Sequence, residues 1–267
     1  YRQGHFTLIL EVVFPSQKIH GLDEPIQKIL QIARERRADL IPELFCISAA
    51  GPVSDNTCKM TNLSWSVDGN AISRNFSTPT LVINDFLAIS YGVLTLNVHD
   101  PNQIHPIAHS DGSLPEALPG NKAVIGPGTG MGVSFLVFDN NRYIPSSSEG
   151  GHIAFAPFDE QSASFRNFMT RELGTQPGIE PLVSGTGIAN MYRWWKATYS
   201  IPDSREWQII DRSPPTERPK LISELASKDP TAAAMMTLFV KMLARFASDI
   251  AALTLPMGGL YLAGGGA

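Results

Sequence analysis

The chain has 267 residues, of which 43% are hydrophobic, and a formal net charge of −4; this is enough apolar material for one large or two smaller domains. Basic residues never run longer than Arg36-Arg37 and no apolar run reaches the roughly 20 residues of a membrane span, which excludes nucleic-acid and membrane partners. The two cysteines, Cys46 and Cys58, have no metal-binding spacing, which favours a reducing cytoplasm.

The N-terminal segment predicts a strand, a helix and a second strand. Residues 6–14 are rich in β-formers and predict the first strand. Asp23-Glu24-Pro25 is a helix start signal, with Asp23 as the expected cap. The short apolar run at residues 44–48 predicts a central strand, which ends at a glycine and a proline.

A polar pair follows the next predicted strand, residues 80–83. Asn84 and Asp85 come directly after this strand, and residues 86–96 can continue as a helix. In open α/β sheets, ligands bind beyond the carboxyl ends of strands. Two interpretations stay open for the pair: a functional site, or an Asn/Asp cap of the helix.

A run of glycines, residues 126–132, joins two predicted strands at residues 122–125 and 133–138. Glycine turns backbone N–H groups toward one point without steric cost, and converging N–H groups make an anion cradle. Nucleoside-triphosphate and dinucleotide fingerprints open a helix instead, so neither fits, and a nicotinamide-dependent enzyme is disfavoured. The run is therefore either a glycine-rich hairpin turn or a phosphate site.

A carboxylate and an imidazole flank two glycines at Glu149-Gly150-Gly151-His152. Carboxylates are suited to sugar hydroxyls because each accepts several hydrogen bonds. The glycines predict room for a ligand to approach the backbone; the alternative is a turn with a capping histidine.

The C-terminal half predicts a helical region with a final strand. We expect a proline-containing loop at residues 201–219. Helices are expected at residues 165–173, 188–199, 221–226 and 231–255, and a strand at 260–263 leads into three glycines.

Seven motifs occur in order along the chain and resemble those of the bacterial glucokinase family. They are Ala49–Val53, Met60–Trp65, Ile83–Phe86, Gly126–Gly132, Glu149–His152, Glu180 with Ser184-Gly185, and Leu262–Gly265. The resemblance implies an ATP-dependent hexose kinase with a two-lobed α/β fold of the actin-like, ribonuclease-H-like (hexokinase) type. The lobes would span residues 1–100 and 101–267 and close over the sugar.

The resemblance also implies roles for individual residues. Asp85 would be the general base on the 6-hydroxyl of glucose. The other sugar hydroxyls would be held by Asn84, Glu149, His152 and Glu180. The nucleotide phosphates would be bound by Gly128, Thr129 and Gly130, and the adenosine would lie near Gly264 and Gly265. ATP with Mg²⁺ is the expected donor, no residue is assigned as a metal ligand, and the family's frequent dimers make a homodimer the assembly to test.

Two family features are missing. The Asp-x-Gly-Gly-Thr phosphate loop that opens the family's sequences does not occur here, and neither does the helix that follows the adenosine glycines. We therefore expect a chain truncated at both ends. A non-catalytic sugar-binding remnant is the alternative to an active glucose kinase. No cysteine follows Cys58, which argues against the zinc-containing regulator/open-reading-frame/kinase branch.

Overall fold

A computed structural model of the chain describes residues 7–60 and 63–264. The chain divides into two compact units, Tyr1–Ala88 and Ile89–Ala267. The lobe boundary near residue 100 stays a prediction. None of the helices in the described residues is long and apolar enough to cross a membrane.

The first unit is built on a parallel pair of strands. Its elements are α1 (Asp23–Arg36), β1 (Phe45–Ala49), β2 (Val53–Ser54), β3 (Thr57–Lys59), β4 (Ser66–Asp68), α2 (Gly69–Phe76), β5 (Thr80–Asn84) and the start of α3 (Asp85–Val93). β2, β3 and β4 form a small antiparallel sheet. β1 and β5 run parallel with Ala49 opposite Asn84, so the carboxyl ends of both strands lie side by side.

The strand predicted over residues 6–14 is wrong for residues 7–14, which form no strand; Phe6 lies outside the described residues. A strand needs a neighbouring backbone to satisfy its N–H and C=O groups, and β1 pairs only with β5 in the described part of the unit. The side chains of Leu8 and Val13 are accordingly 76% and 83% exposed.

The start of α1 also differs in detail. Its N-cap is Leu22, which makes no side-chain capping bond. Asp23, the expected cap, instead accepts a hydrogen bond from Asn75 Nδ2 at 2.8 Å. The acidic side chain therefore ties α1 to α2.

The second unit combines a mixed sheet with a helical layer. Its later elements are β6 (Lys122–Pro127), β7 (Met131–Asp139), β8 (Arg142–Ser148), α4 (Glu160–Leu173), α5 (Gly185–Thr198), α6 (Arg205–Arg212), α7 (Arg218–Leu225), α8 (Pro230–Thr254) and β9 (Leu260–Leu262). The strand order is β8-β7-β6-β9, with β9 parallel to β6 and the other pairs antiparallel. Apart from the loop at 201–219, the predicted elements of this half are confirmed.

Helix α6 lies within the predicted loop of residues 201–219, so that prediction is wrong. Ser204 caps the helix by accepting a hydrogen bond from the N–H of Trp207. The helix buries Trp207 and Ile210 and leaves its charged face to solvent. Pro202 and Pro214 flank the helix, and because prolines are typical of loops they led to the prediction of a loop for the whole segment.

Aromatic and aliphatic side chains from α4, α5 and α8 form the core of the second unit. Trp194 is 1% exposed and packs against Phe165 with ring centroids 5.2 Å apart. Trp195 is 7% exposed, so Trp194 and Trp195 on α5 are both packing residues.

We expect Phe239→Ala to lower the free energy of unfolding of the second unit by about 3–5 kcal/mol, because it empties a buried site on α8. Phe239 is 2% exposed. The neighbouring Val240 is 57% exposed, and Val240→Ala should change the same quantity by less than about 0.5 kcal/mol. Urea unfolding followed by tryptophan fluorescence measures both; equal losses would contradict the packing described.

Candidate active site

Asn84 ends β5 and caps α3. Its Oδ1 accepts hydrogen bonds from the N–H groups of Phe86 at 3.0 Å and Leu87 at 3.1 Å. Its Nδ2 donates to the carbonyl of Gly51 at 3.1 Å, which joins α3 to the segment after β1. The side chain of Asn84 therefore acts as a helix cap, and its contact with a sugar hydroxyl stays a prediction.

Asp85, the first residue of α3, is exposed. Its Oδ1 accepts from the N–H of Phe86 at 2.9 Å and from Asn84 Nδ2 at 3.1 Å. No donor in the described residues reaches Oδ2. One carboxylate oxygen is thus fixed by the helix start while the other is open to a proton or a ligand.

The Asp85 carboxylate also acts on the core of the first unit. Cys58 is completely buried, and this burial raises the pKa of its thiol. The negative charge of Asp85 raises that pKa further, because it opposes formation of a thiolate.

The glycine turn, Gly128-Thr129-Gly130, connects β6 to β7. The antiparallel register ends with Pro127 opposite Met131, and the Gly128 N–H donates to the Gly130 carbonyl at 2.9 Å. Within residues 7–60 and 63–264, the N–H groups of Thr129 and Gly130 find no acceptor. The turn is a hairpin that leaves two donors available to an anion.

The N-terminus of α5 clamps the glycine turn from one side. The N–H of Gly185 donates to the Gly128 carbonyl at 2.8 Å. Thr186 binds the Thr129 carbonyl through both its N–H, at 3.3 Å, and its Oγ1, at 2.9 Å. These bonds place the positive end of the helix dipole against the turn, where it favours a negatively charged ligand.

Glu149 and His152 form an exposed pair beside β7. The carboxylate Oε2 and the imidazole Nε2 are 3.6 Å apart, and the side chains are 83% and 73% exposed. The glycines between them pack against β7: a Cβ on Gly151 would lie 2.3 Å from the Met131 carbonyl oxygen. The glycines are therefore needed for packing against β7, and the room they would leave for a ligand stays a prediction.

Glu180 lies between this pair and the glycine turn. Its backbone N–H donates to the Gly151 carbonyl at 3.0 Å. Its Oε2 accepts from the N–H of Met131 at 2.9 Å. The residue as a whole is only partly buried.

Gly264 follows β9 and approaches the same turn. It has φ of +110°, which favours glycine, and a Cβ there would lie 3.3 Å from the Pro127 carbonyl oxygen. Gly265 lies outside the described residues.

Apart from Gly265, the structure brings the predicted residues of the second unit to the β6–β7 turn or to segments bonded to it. Asn84 and Asp85 share the end of β5 in the first unit. Sequence reasoning missed the contributions of the Met131 N–H and of Gly185 and Thr186. Ser184 is the N-cap of α5, and Ser-Gly-Thr-Gly is a start signal that could have placed the helix there. Within the described residues, no group of three or more His, Cys, Asp or Glu side chains could hold a metal ion.

Comparison with known proteins now decides the family. A family model described as glucokinase matches residues 3–267. The chain belongs to the glucokinase family. The glucokinase of Nostoc punctiforme is 33% identical over 266 residues, which cover 93% of this chain and 75% of the relative.

Solved structures of glucokinases agree with this assignment. The glucokinase of an Antarctic psychrotroph is 29% identical, with a TM-score of 0.72 over 94% of this chain and 72% of its own. A ROK-family glucokinase of Streptomyces griseus, in complex with glucose and AMPPNP, is 20% identical with a TM-score of 0.57 and shares the fold. The matched region covers 99% of this chain and 78% of the Streptomyces griseus chain. The predicted glucokinase-family membership and hexokinase-type α/β fold are confirmed.

We expect a chromogenic disulfide reagent, which modifies free thiols at pH 8, to react only with Cys46 in the native protein. Cys46 is exposed and Cys58 is buried, and the raised pKa of Cys58 further suppresses its reactive thiolate. The coloured thiolate that the reagent releases should correspond to one cysteine per chain in buffer and to two in denaturant. Cys46→Ser should abolish the native reaction; rapid modification of that variant would contradict the burial of Cys58.

Proposed function

We propose that this chain transfers the γ-phosphoryl group of ATP to the 6-hydroxyl of glucose, giving glucose 6-phosphate, the first step of glycolysis. The observation that carries the proposal is the glycine turn, whose two open N–H donors lie beside Glu180 and the N-terminus of α5. Membership of the glucokinase family supports the same reaction.

Phosphoryl transfer depends mainly on positioning and on neutralising charge. The N–H groups of Thr129 and Gly130 would bind the nucleotide phosphates, with the α5 dipole adding favourable potential. A Cβ placed on Gly128 would meet no atom within 4 Å, which leaves space for the phosphates on that side. Gly264, held close to the turn, and Gly265 would then border the adenosine.

Asp85 would act as the general base. Its open Oδ2 would take the proton of the sugar 6-hydroxyl as that oxygen bonds to the γ-phosphorus. The bond from this phosphorus to the β–γ bridging oxygen then breaks, and ADP leaves. A positioned base of this kind contributes about 10²- to 10⁴-fold to the rate.

The remaining polar residues would bind the other sugar hydroxyls. These residues are Asn84, Glu149, His152 and Glu180. Glu149 and His152 have exposed side chains with no ion-pair partner but each other among the described residues, so their hydrogen-bonding groups are available. Such a site rejects sugars that lack a hydroxyl, because polar groups would be left unpaired.

Mg²⁺ would accompany ATP. This ion keeps several water ligands and binds proteins through one or two carboxylates together with substrate phosphates. It therefore does not need a cluster of three or more acidic side chains, and none that could hold a metal ion occurs in the described residues. When bound, Mg²⁺ neutralises charge on the phosphates. A cytoplasmic location and a homodimer also remain parts of the proposal.

We expect Asp85→Asn to lower the kcat of glucose-dependent ADP release by about 10²- to 10⁴-fold. The amide oxygen can still accept from Phe86 and Asn84, so α3 keeps its start while the proton acceptor is lost. Asp39→Asn is the matched control, because Asp39 is a surface residue of the same unit with a side chain 76% exposed.

An unimpaired Asp85→Asn variant would contradict the role of Asp85. Calorimetry with glucose, combined with the ADP-release assay, distinguishes an active glucose kinase from a non-catalytic sugar-binding protein. Glucose binding without ADP release by the unaltered chain would favour a non-catalytic sugar-binding protein over a kinase.

A further inference from the structure

We propose that Glu180 couples the two substrate sites, so that glucose binding strengthens nucleotide binding and the reverse. The inference rests on the proposed function, because it takes Glu180 as a sugar ligand. Its new element is that Glu180 is also the positioning residue of the glycine turn.

The two carboxylate oxygens of Glu180 have different environments. Oε2 accepts from the N–H of Met131, the residue that follows the turn, at 2.9 Å. No donor in the described part of the chain reaches Oε1. One oxygen thus holds the nucleotide side of the site while the other is available for a sugar hydroxyl.

Gly130 shows how closely the carboxylate lies on the turn. A Cβ on Gly130 would be 2.4 Å from Glu180 Oε2 and 3.0 Å from Cδ. Gly130 is not among the glycines with positive φ, so its backbone would accept alanine. The three atoms nearest to such a methyl group all belong to the Glu180 side chain.

The backbone of Glu180 joins the same elements. Its N–H donates to the Gly151 carbonyl within the Glu149–His152 segment. Its carbonyl accepts from Ser184 Oγ at 2.7 Å, and Ser184 caps the helix that clamps the turn. Glu180 therefore contacts the segment that carries Glu149 and His152, the turn and the N-cap of α5.

Coupling follows from these contacts. A hydroxyl bound to Oε1 restricts the carboxylate to the geometry that Oε2 needs to hold Met131. The nucleotide then meets a turn that is already ordered, so it loses less conformational entropy on binding. The effect must be reciprocal, because both ligands favour the same arrangement.

A double-mutant cycle on Gly130 and Glu180 tests this coupling. Gly130→Ala lies on the nucleotide side, yet it should weaken glucose binding in the absence of nucleotide by about 5-fold or more, at the lower end of coupling between sites. The same substitution in a Glu180→Ala background should have no further effect on glucose affinity, since no carboxylate remains to be displaced.

Calorimetry with glucose and with AMPPNP gives each affinity without relying on turnover. In the unaltered chain, saturating glucose should tighten AMPPNP binding by about 5-fold or more, and Glu180→Ala should remove this gain. Glu180→Gln retains an acceptor for the Met131 N–H and should preserve part of it. Gly92→Ala is the matched control, because a Cβ there meets no atom within 4 Å.

Equal weakening by Gly130→Ala in both backgrounds, or none in either, would overturn the coupling. A chain that binds both ligands but transfers no phosphoryl group contradicts the proposed kinase activity alone, and the cycle still decides the coupling. A chain that binds no glucose contradicts both. Melting temperatures of the variants identify any that fail to fold; if Glu180→Ala does so, Glu180→Ser replaces it as the background, because serine also lacks the group that a methyl at position 130 would displace.

Discussion

One hydrogen bond, from the Met131 N–H to the Glu180 carboxylate, fixes the glycine turn against the rest of the second unit. Two other sets of bonds hold the turn in the described residues: the β6–β7 pairing and the bonds that α5 makes to the Gly128 and Thr129 carbonyls. The bond also dictates sequence: it requires glycine at position 130, because any side chain there would occupy the space of the carboxylate. Charge-assisted bonds of this kind are shorter and stronger than neutral ones, which suits a contact that must hold a loop in place.

Of the two interpretations of the glycine run, the hairpin is confirmed, and the phosphate site stays a prediction that is compatible with it. The turn is a hairpin, with the register of β6 and β7 continuing to Pro127 and Met131. Among the described residues, the N–H groups of Thr129 and Gly130 have no acceptor, while the carbonyls of Gly128 and Thr129 are bound by α5; this arrangement is compatible with an anion at the turn.

The sequence predicts the features that depend on local residue patterns better than those that depend on contacts between distant residues. The position of Asn84 and Asp85 could be predicted, because apolar runs locate β5 and the rule for carboxyl ends of strands then applies. Residues 7–14 could not, because a β-forming composition becomes a strand only beside a partner. Helix α6 was missed because prolines flank it while two buried residues carry its apolar face. The Glu180–Met131 bond involves a backbone N–H 49 residues away in sequence, and no local pattern encodes it.

Amide hydrogen exchange at the glycine turn, followed by NMR, tests the central claim most directly. In the free protein, the Met131 amide should be protected by Glu180, while the Thr129 and Gly130 amides should exchange freely. Addition of AMPPNP with Mg²⁺ should protect these two amides as the phosphates accept their hydrogen bonds. Thr129 and Gly130 amides that remain unprotected at saturating nucleotide would contradict the account, as would a Met131 amide that exchanges freely in the free protein.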